Sequence, residues 1–172
     1  MVVLSFDPEI GHKPAVLILG SMPGRRSLET SQYYAHPRNY FWKIMGEILG
    51  FDPSLSYQKR ISNLQSAGIG LWDVLKACER ENSLDQNIRP ESEIPNELGI
   101  FLEEHQSIRA IAFNGAKSWQ AFNHLVMPNL PPITLSQVEL RQMPSTSPAN
   151  AGISYIDKLE SWKWINRWIN NP

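Results

Sequence analysis

The chain has one cysteine, Cys78, among 172 residues. A lone thiol excludes an internal disulfide framework, a four-cysteine zinc site and an iron–sulfur cluster held by this chain alone, and it suits a reducing compartment. An excess of positive charge is also missing: 16 Lys and Arg stand against 17 Asp and Glu, for a formal net charge of -1. The whole-molecule positive field common among nucleic-acid binders is therefore absent. Any basic surface has to be local, and Arg25, Arg26, Arg38 and Lys43 lie close together with only Glu29 among them. No apolar run approaches the roughly 20 residues that cross a bilayer, and Met1 to Asp7 is not a charged start leading into an apolar stretch. A soluble, cytoplasmic protein without a membrane partner is expected. Neither a Gly-x-Ser-x-Gly elbow nor a metal-binding histidine pair occurs, so a small-molecule hydrolase lacks its nucleophile and base, and neither metal nor cofactor is expected.

What is present is a core-forming composition, 42% hydrophobic, sufficient for one domain spanning residues 1–172. Ala15-Val16-Leu17-Ile18-Leu19 is a continuous apolar run ending at Gly20, the pattern of a strand buried on both faces of a parallel sheet. About twenty residues without helical periodicity follow. Phe41, Trp42, Ile44, Met45, Ile48 and Leu49 then recur at helical spacing up to a stop at Gly50. Ser56 is placed to cap a second helix running to about Ala67, and Gly68 to Trp72 returns to extended structure. Residues 84–95 read as a surface loop before an amphipathic helix carrying Leu98, Ile100, Phe101 and Leu102. Arg109 to Phe113 is the next strand, Asn114-Gly115 its turn, and Ala116 to Val126 a helix stopped by Pro128. A last short strand is expected between Ile133 and Met143. After the Pro144 to Asn150 loop, Ile156, Leu159, Trp162, Ile165 and Ile169 mark one face of a terminal helix whose tryptophans pack the core or its edge. This alternation predicts an α/β three-layer αβα sandwich with a central, mostly parallel sheet, and ligands then bind beyond the strand carboxyl ends. Function belongs in the loops that begin at Gly20, Asn114 and Pro144.

The first loop, Gly20-Ser21-Met22-Pro23-Gly24, permits a tight turn that exposes backbone amides, and no Gly-Lys-Ser/Thr follows to make it a nucleotide P-loop. It continues through Gln32-Tyr33-Tyr34-Ala35-His36-Pro37-Arg38-Asn39-Tyr40-Phe41-Trp42, a dense mixture of aromatic, amide and cationic side chains. A flipped base needs an aromatic or apolar face to stack on, polar groups for its edge, and cations or amides for the flanking phosphates. Tyr34, ahead of the helix, is the stacking candidate; Phe41 and Trp42, on the helix, belong to the core.

These two segments together resemble the first motif region of mismatch-specific and hypoxanthine-DNA glycosylases, within the uracil-DNA glycosylase superfamily. Ala112-Phe113-Asn114-Gly115 is similar to the strand-end asparagine those enzymes use against the flipped base. Met143 to Asn150 resembles their late DNA-inserting loop, and the motifs occur in the family order. Met22 is a departure from uracil-removing relatives, which place Asn or Asp there; a thioether does not orient water through a strong hydrogen bond. In the hypoxanthine branch that polar residue is likewise missing, and the asparagine of the Pro-Arg-Asn segment, Asn39 here, is taken as catalytic.

The resemblance thus implies a monofunctional glycosylase whose partner is DNA containing a deaminated base, acting as a monomer. Asn39 is the catalytic candidate, against the alternative that it caps the following helix. Tyr34, Asn114, Ser21 and Met22 are candidates for the base, with an Asx-turn as the other reading of Asn114. His36, Arg38, Ser145, Thr146, Ser147, Ala149 and Asn150 are candidates for DNA; His36 could instead be merely exposed, and the serine-rich stretch an ordinary polar loop. No lysine lies within these motifs to form a Schiff base, so strand cleavage is not expected. Two rivals share the fold: a uracil or mismatched-thymine glycosylase, and a catalytically silent nucleic-acid-binding protein signalled by Met22.

Overall fold

The structure is a computed structural model describing residues 1–169. Its elements run β1 (Val2–Leu4), β2 (Val16–Gly20), α1 (Arg25–Thr30), α2 (Phe41–Leu49), α3 (Tyr57–Ser66), β3 (Ile69–Asp73), β4 (Leu75–Glu79) and β5 (Ile94–Pro95). They continue through α4 (Leu98–Glu104), β6 (Ala110–Asn114), α5 (Ala116–Ala121), α6 (Pro132–Gln137), β7 (Glu139–Met143), α7 (Tyr155–Trp162) and α8 (Asn166–Ile169). Four strands form the central sheet in the order β3-β2-β6-β7, and each neighbouring pair is parallel. A second sheet joins β1, β4 and β5 in antiparallel pairs.

Burial on both faces explains the unbroken apolar run of β2. Leu17 and Leu19 pack with Ile111, Phe113, Leu98, Phe101, Leu102 and Phe122 on the face covered by α4 and α5. Val16 and Ile18 pack with Ala110, Ala112, Phe41, Ile44, Leu64, Leu159 and Trp162 on the face covered by α2, α3 and α7. Helix, sheet and helix make the three layers. At roughly 25 cal/mol per Å² of apolar surface removed from water, this two-sided burial is what holds the sheet.

The chain leaves β2 toward β3 on one side, while β6 and β7 build the other side. The order of strands therefore reverses between β2 and β6, and open α/β sheets take ligands beyond the carboxyl ends of strands at such a switch point, here beside Gly20 and Asn114.

Several sequence expectations change. The connection after Gly20 contains α1, six residues long with only Ser27 buried, too short for an apolar period to show. Residues 84–95 are a loop broken by 3₁₀ turns at Asp85–Asn87 and Pro90–Ser92, with β5 at its end. Beyond α5, residues Phe122–Val126 widen into a π turn before a 3₁₀ turn over Met127–Asn129. Ser56 stands at the N-cap of α3, as expected, but its side chain makes no capping hydrogen bond. In the last helical segment Leu159, Trp162 and Ile165 are buried, whereas Ile156 is exposed to solvent. Among the described residues no helix is long and apolar enough to cross a membrane.

Candidate active site

Pairing registers bring three residues into one row on the sheet face toward α2. Gly20 pairs with Asp73, and Leu19 pairs with Phe113, so Asn114 lies opposite Gly20 on its other side. The missing side chain of Gly20 leaves room in the middle of the row for the Asp73 carboxyl. A Cβ there would sit 2.5 Å from Asp73 Oδ1 and 3.4 Å from the Tyr34 hydroxyl. Asp73 and Tyr34 therefore converge over this glycine.

Tyr34 has left-handed backbone, φ 56°. Its ring stacks on Phe41, with centroids 3.9 Å apart and planes at 24°, so one of its faces is already covered. The Tyr34 hydroxyl is buried without a hydrogen-bond partner. Burial and then the Asp73 carboxylate push its pKa up, and the nearby Asn114 amide draws it partly back. Tyr34 is thus packed on Phe41 with its hydroxyl directed toward Gly20.

The other residues expected against a base behave differently. Met22 is buried in the core cluster of Leu17, Leu19 and Phe113, on the opposite face of the sheet. The Ser21 hydroxyl donates to Asp85 Oδ1 at 2.7 Å. Both side chains turn away from the face of the sheet that carries Gly20, Asp73 and Asn114. For Met22 the cause is its thioether, which gains by entering the core and has no polar contact to keep it out.

The Pro-Arg-Asn segment presents His36 and Arg38 to solvent. His36 Nδ1 accepts a hydrogen bond from the Arg38 amide at 3.1 Å, which folds this exposed stretch into a turn. Asn39 is half-buried, and its Oδ1 accepts from the Phe41 amide at 2.9 Å. This is an Asx-turn one residue ahead of the N-cap of α2, Tyr40, so Asn39 holds the first amide of the helix without being its N-cap. A second lone pair on Oδ1 and the Nδ2 donors remain, because no other side-chain hydrogen bond engages this residue.

Asn114 forms no Asx-turn. Its Oδ1 accepts from the Thr146 amide and its Nδ2 donates to the Thr146 hydroxyl, each at 2.9 Å. Thr146 is fully buried, and its carbonyl accepts from the Tyr40 amide at 3.0 Å. The expectation that Thr146 meets DNA fails for this reason: its hydroxyl, amide and carbonyl are all committed inside the protein.

Ser145, Ser147 and Asn150 are half-buried and Ala149 is exposed. Ser145 Oγ accepts from the Ser147 amide and Ser147 Oγ from the Ala149 amide, both at 3.2 Å, while Asn150 Nδ2 donates to the Ser145 carbonyl at 3.1 Å. The loop is held in shape by its own side chains. Trp162 braces it from below by donating to the Pro144 carbonyl. Gly115, at φ 99°, lets it pass close by; a Cβ there would stand 2.9 Å from Ser145 Cβ.

Four residues outside the expected motifs complete the site. Arg80 is buried and donates to the Pro23 carbonyl, pinning the first loop. Asp85 holds Ser21, and burial raises its pKa. Lys158, also buried, donates to the Asn150 carbonyl at 2.7 Å, and loss of water lowers its pKa. Asp73 is buried, and burial followed by the like charge of Asp85 raises its pKa to about 8, against the opposing pull of Arg80. One signal was available in the sequence, since Asp73 puts a charge at the carboxyl end of an otherwise apolar strand. Among the described residues no cluster of three His, Cys, Asp or Glu side chains is set to hold a metal ion.

With this geometry in place, comparison with known proteins assigns the family. The uracil DNA glycosylase superfamily model matches residues 8–168. A hypoxanthine DNA glycosylase of Methanosarcina acetivorans is 34% identical over 168 residues, covering 97% of this chain and 99% of that protein. Its namesake in Methanosarcina barkeri is 44% identical over 114 residues, covering 66% of this chain and 71% of that one. The solution NMR structure of a candidate uracil DNA glycosylase from Methanosarcina acetivorans superimposes with a TM-score of 0.80 at 32% identity, covering 97% of this chain and 98% of that one. This chain belongs to the uracil DNA glycosylase superfamily.

Proposed function

We propose that this protein is a monofunctional DNA glycosylase that flips hypoxanthine out of DNA and hydrolyses its N-glycosidic bond, leaving an abasic site. The observation that carries this reading is the similarity to a hypoxanthine DNA glycosylase along nearly the whole of both chains. The carboxyl ends of β2 and β6, at the switch in strand order, supply a location for the base.

Hydrolysis of the glycosidic bond passes through a sugar with oxocarbenium character while negative charge develops on the departing base. A strong base is not required to attack such a sugar. In this reading Asn39, anchored through Oδ1 to the Phe41 amide, accepts a hydrogen bond from the attacking water on its second lone pair. An amide does not remove a proton near neutrality, so its contribution is orientation. Tyr34 provides a stacking wall for the flipped base, and Asn114, fixed by Thr146, bounds the pocket opposite Asp73. His36 and Arg38 face solvent, where phosphates of a bound strand would pass.

A panel of duplexes carrying hypoxanthine, uracil, xanthine or mismatched thymine tests the substrate. Release of hypoxanthine faster than the others supports the proposal. Preferential release of uracil or thymine assigns the protein to the neighbouring specificity instead, and lesion binding without release makes it a silent binder.

A further inference from the structure

The chain from Val74 to Asp85 grips the first loop along its length. The Val74 and Leu75 amides donate to the Gly20 and Ser21 carbonyls at 2.8 and 3.2 Å, the Ser21 hydroxyl donates to Asp85, and Ser83 Oγ accepts from the Arg25 amide at 2.9 Å. Between these points Arg80 Nη2 donates to the Pro23 carbonyl. Arg80 stands on the second sheet, just past β4, where its own amide donates to the Met1 carbonyl at 3.0 Å and its backbone bridges to Ile88. Its guanidinium joins the loop to that sheet.

Fold stability does not call for an arginine here. The side chain is 2% exposed, and its Nε and Nη1 are buried without partners. Its charge reaches Asp73 and Asp85, yet among the described residues it forms no ion pair with either. A buried cation with unsatisfied donors loses its hydration without full return, and an apolar side chain of similar volume commonly serves a fold as well or better.

What the guanidinium supplies is direction. No peptide bond is cis among the described residues, so in the planar unit joining Pro23 to Gly24 the carbonyl and the N–H point opposite ways. With the carbonyl turned inward onto Arg80, the Gly24 N–H turns outward, to a side where a Cβ on Gly24 would meet nothing within 4 Å. Release of the carbonyl frees this unit to rotate, and the loop has no other side-chain bond between Ser21 and Arg25 to stop it.

We propose that Arg80 is a positioning residue for base release, holding the Pro23 carbonyl inward so that the first loop keeps one shape at the carboxyl end of β2. That end is where the proposed function puts the flipped base, so the inference rests on the glycosylase reading. Arg80 itself lies buried behind the loop and acts through it. Without the clamp the reacting groups line up less often, and misplacement by about 1 Å is enough for a large loss of rate. DNA affinity rests mainly on phosphate contacts along the surface and should change little.

Arg80→Met fills a similar volume without charge or donor, while Arg80→Lys keeps a cation able to donate to one carbonyl. Single-turnover release from a deoxyinosine duplex is measured against protein concentration, giving the rate at saturation and the concentration at half-saturation, alongside Tm. Arg80→Met should lose at least about tenfold in saturated rate, with half-saturation within about threefold of wild type and Tm no lower. Arg80→Lys should recover most of the rate. Arg80→Met as fast as wild type overturns the proposal. So does a parallel loss of rate and Tm in both variants, which would make Arg80 a residue of the fold only. Should Arg80→Met not fold, ¹⁵N NMR of the wild-type guanidinium decides. Separate, slowly exchanging Nη signals support the clamp; one averaged signal, exchanging as fast as that of the exposed Arg38, overturns it. Wild-type protein that releases no base overturns the glycosylase reading, whereas equal release by wild type and Arg80→Met overturns this proposal alone.

Discussion

Thr146 and Asn114 hold each other through two hydrogen bonds of 2.9 Å, and the same threonine accepts the Tyr40 amide through its carbonyl. One buried residue thereby ties together the end of β6, the Asn39 segment and the late loop. Thr146→Val keeps the backbone bonds but removes the hydroxyl acceptor, leaving the Asn114 Nδ2 unsatisfied. The expected cost is about 1–2 kcal/mol in chemical denaturation, with slower base release. Thr146→Ser should restore both. Equal behaviour of the Val and Ser variants would show that the hydroxyl bond contributes nothing.

In the proposed function Asn39 has two separable tasks, orienting water and holding the first amide of α2. Asn39→Ala should lower hypoxanthine release by orders of magnitude and, by losing the bond to the first amide of α2, cost about 1 kcal/mol of stability. Asn39→Ser retains an accepting oxygen but reaches less far, so it should fold with near-native stability and still be slow. Recovery of full activity in the serine variant would make Asn39 a turn residue only.

The legible part of this site was the part written in local sequence. The apolar run of β2, its stop at Gly20 and the strand ending in Asn114 follow from burial and turn chemistry that a few adjacent residues specify. Thr146 looked like part of a polar loop because its partners, Asn114 and Tyr40, are far away in the chain, and only the fold brings them together. Met22 and Ser21 were misplaced for a related reason: a residue in a motif can present its backbone to a ligand while its side chain faces the core. Asp73 and Arg80 lie outside every motif; a charge closing an apolar strand hints at Asp73, and only burial reveals Arg80.

Asp73 also bears on stability. Its pKa in the folded protein is about 8 against an ordinary value of 3.8, so the unfolded chain releases this proton far more readily. The unfolded state then binds fewer protons between these values, and stability falls as pH rises through that window. Asp73→Asn removes the effect. The Tm of the variant minus that of wild type should therefore grow from about pH 4 to about pH 8 and then level off. A pH-independent difference would mean the carboxyl is ionised throughout.

Ala149 is exposed at the tip of the late loop and offers no large apolar wedge. Unstacking a base costs a few kcal/mol, least for unstable pairs, so release should be faster from single strands and weak pairs than from well-stacked duplex. Ala149→Leu should narrow that difference. Single-turnover rates independent of pair stability, in wild type and variant alike, would refute the weak-wedge account.

The central claim is hydrolysis of one bond, and the products report it most directly. Purified protein in excess is incubated with a duplex containing a single deoxyinosine, and both the released base and the DNA strand are analysed. Free hypoxanthine in equal amount to an abasic site, on a strand that stays intact until treated with alkali, is the predicted result. DNA that is bound but retains its hypoxanthine, or a strand already cut before alkali, would contradict it.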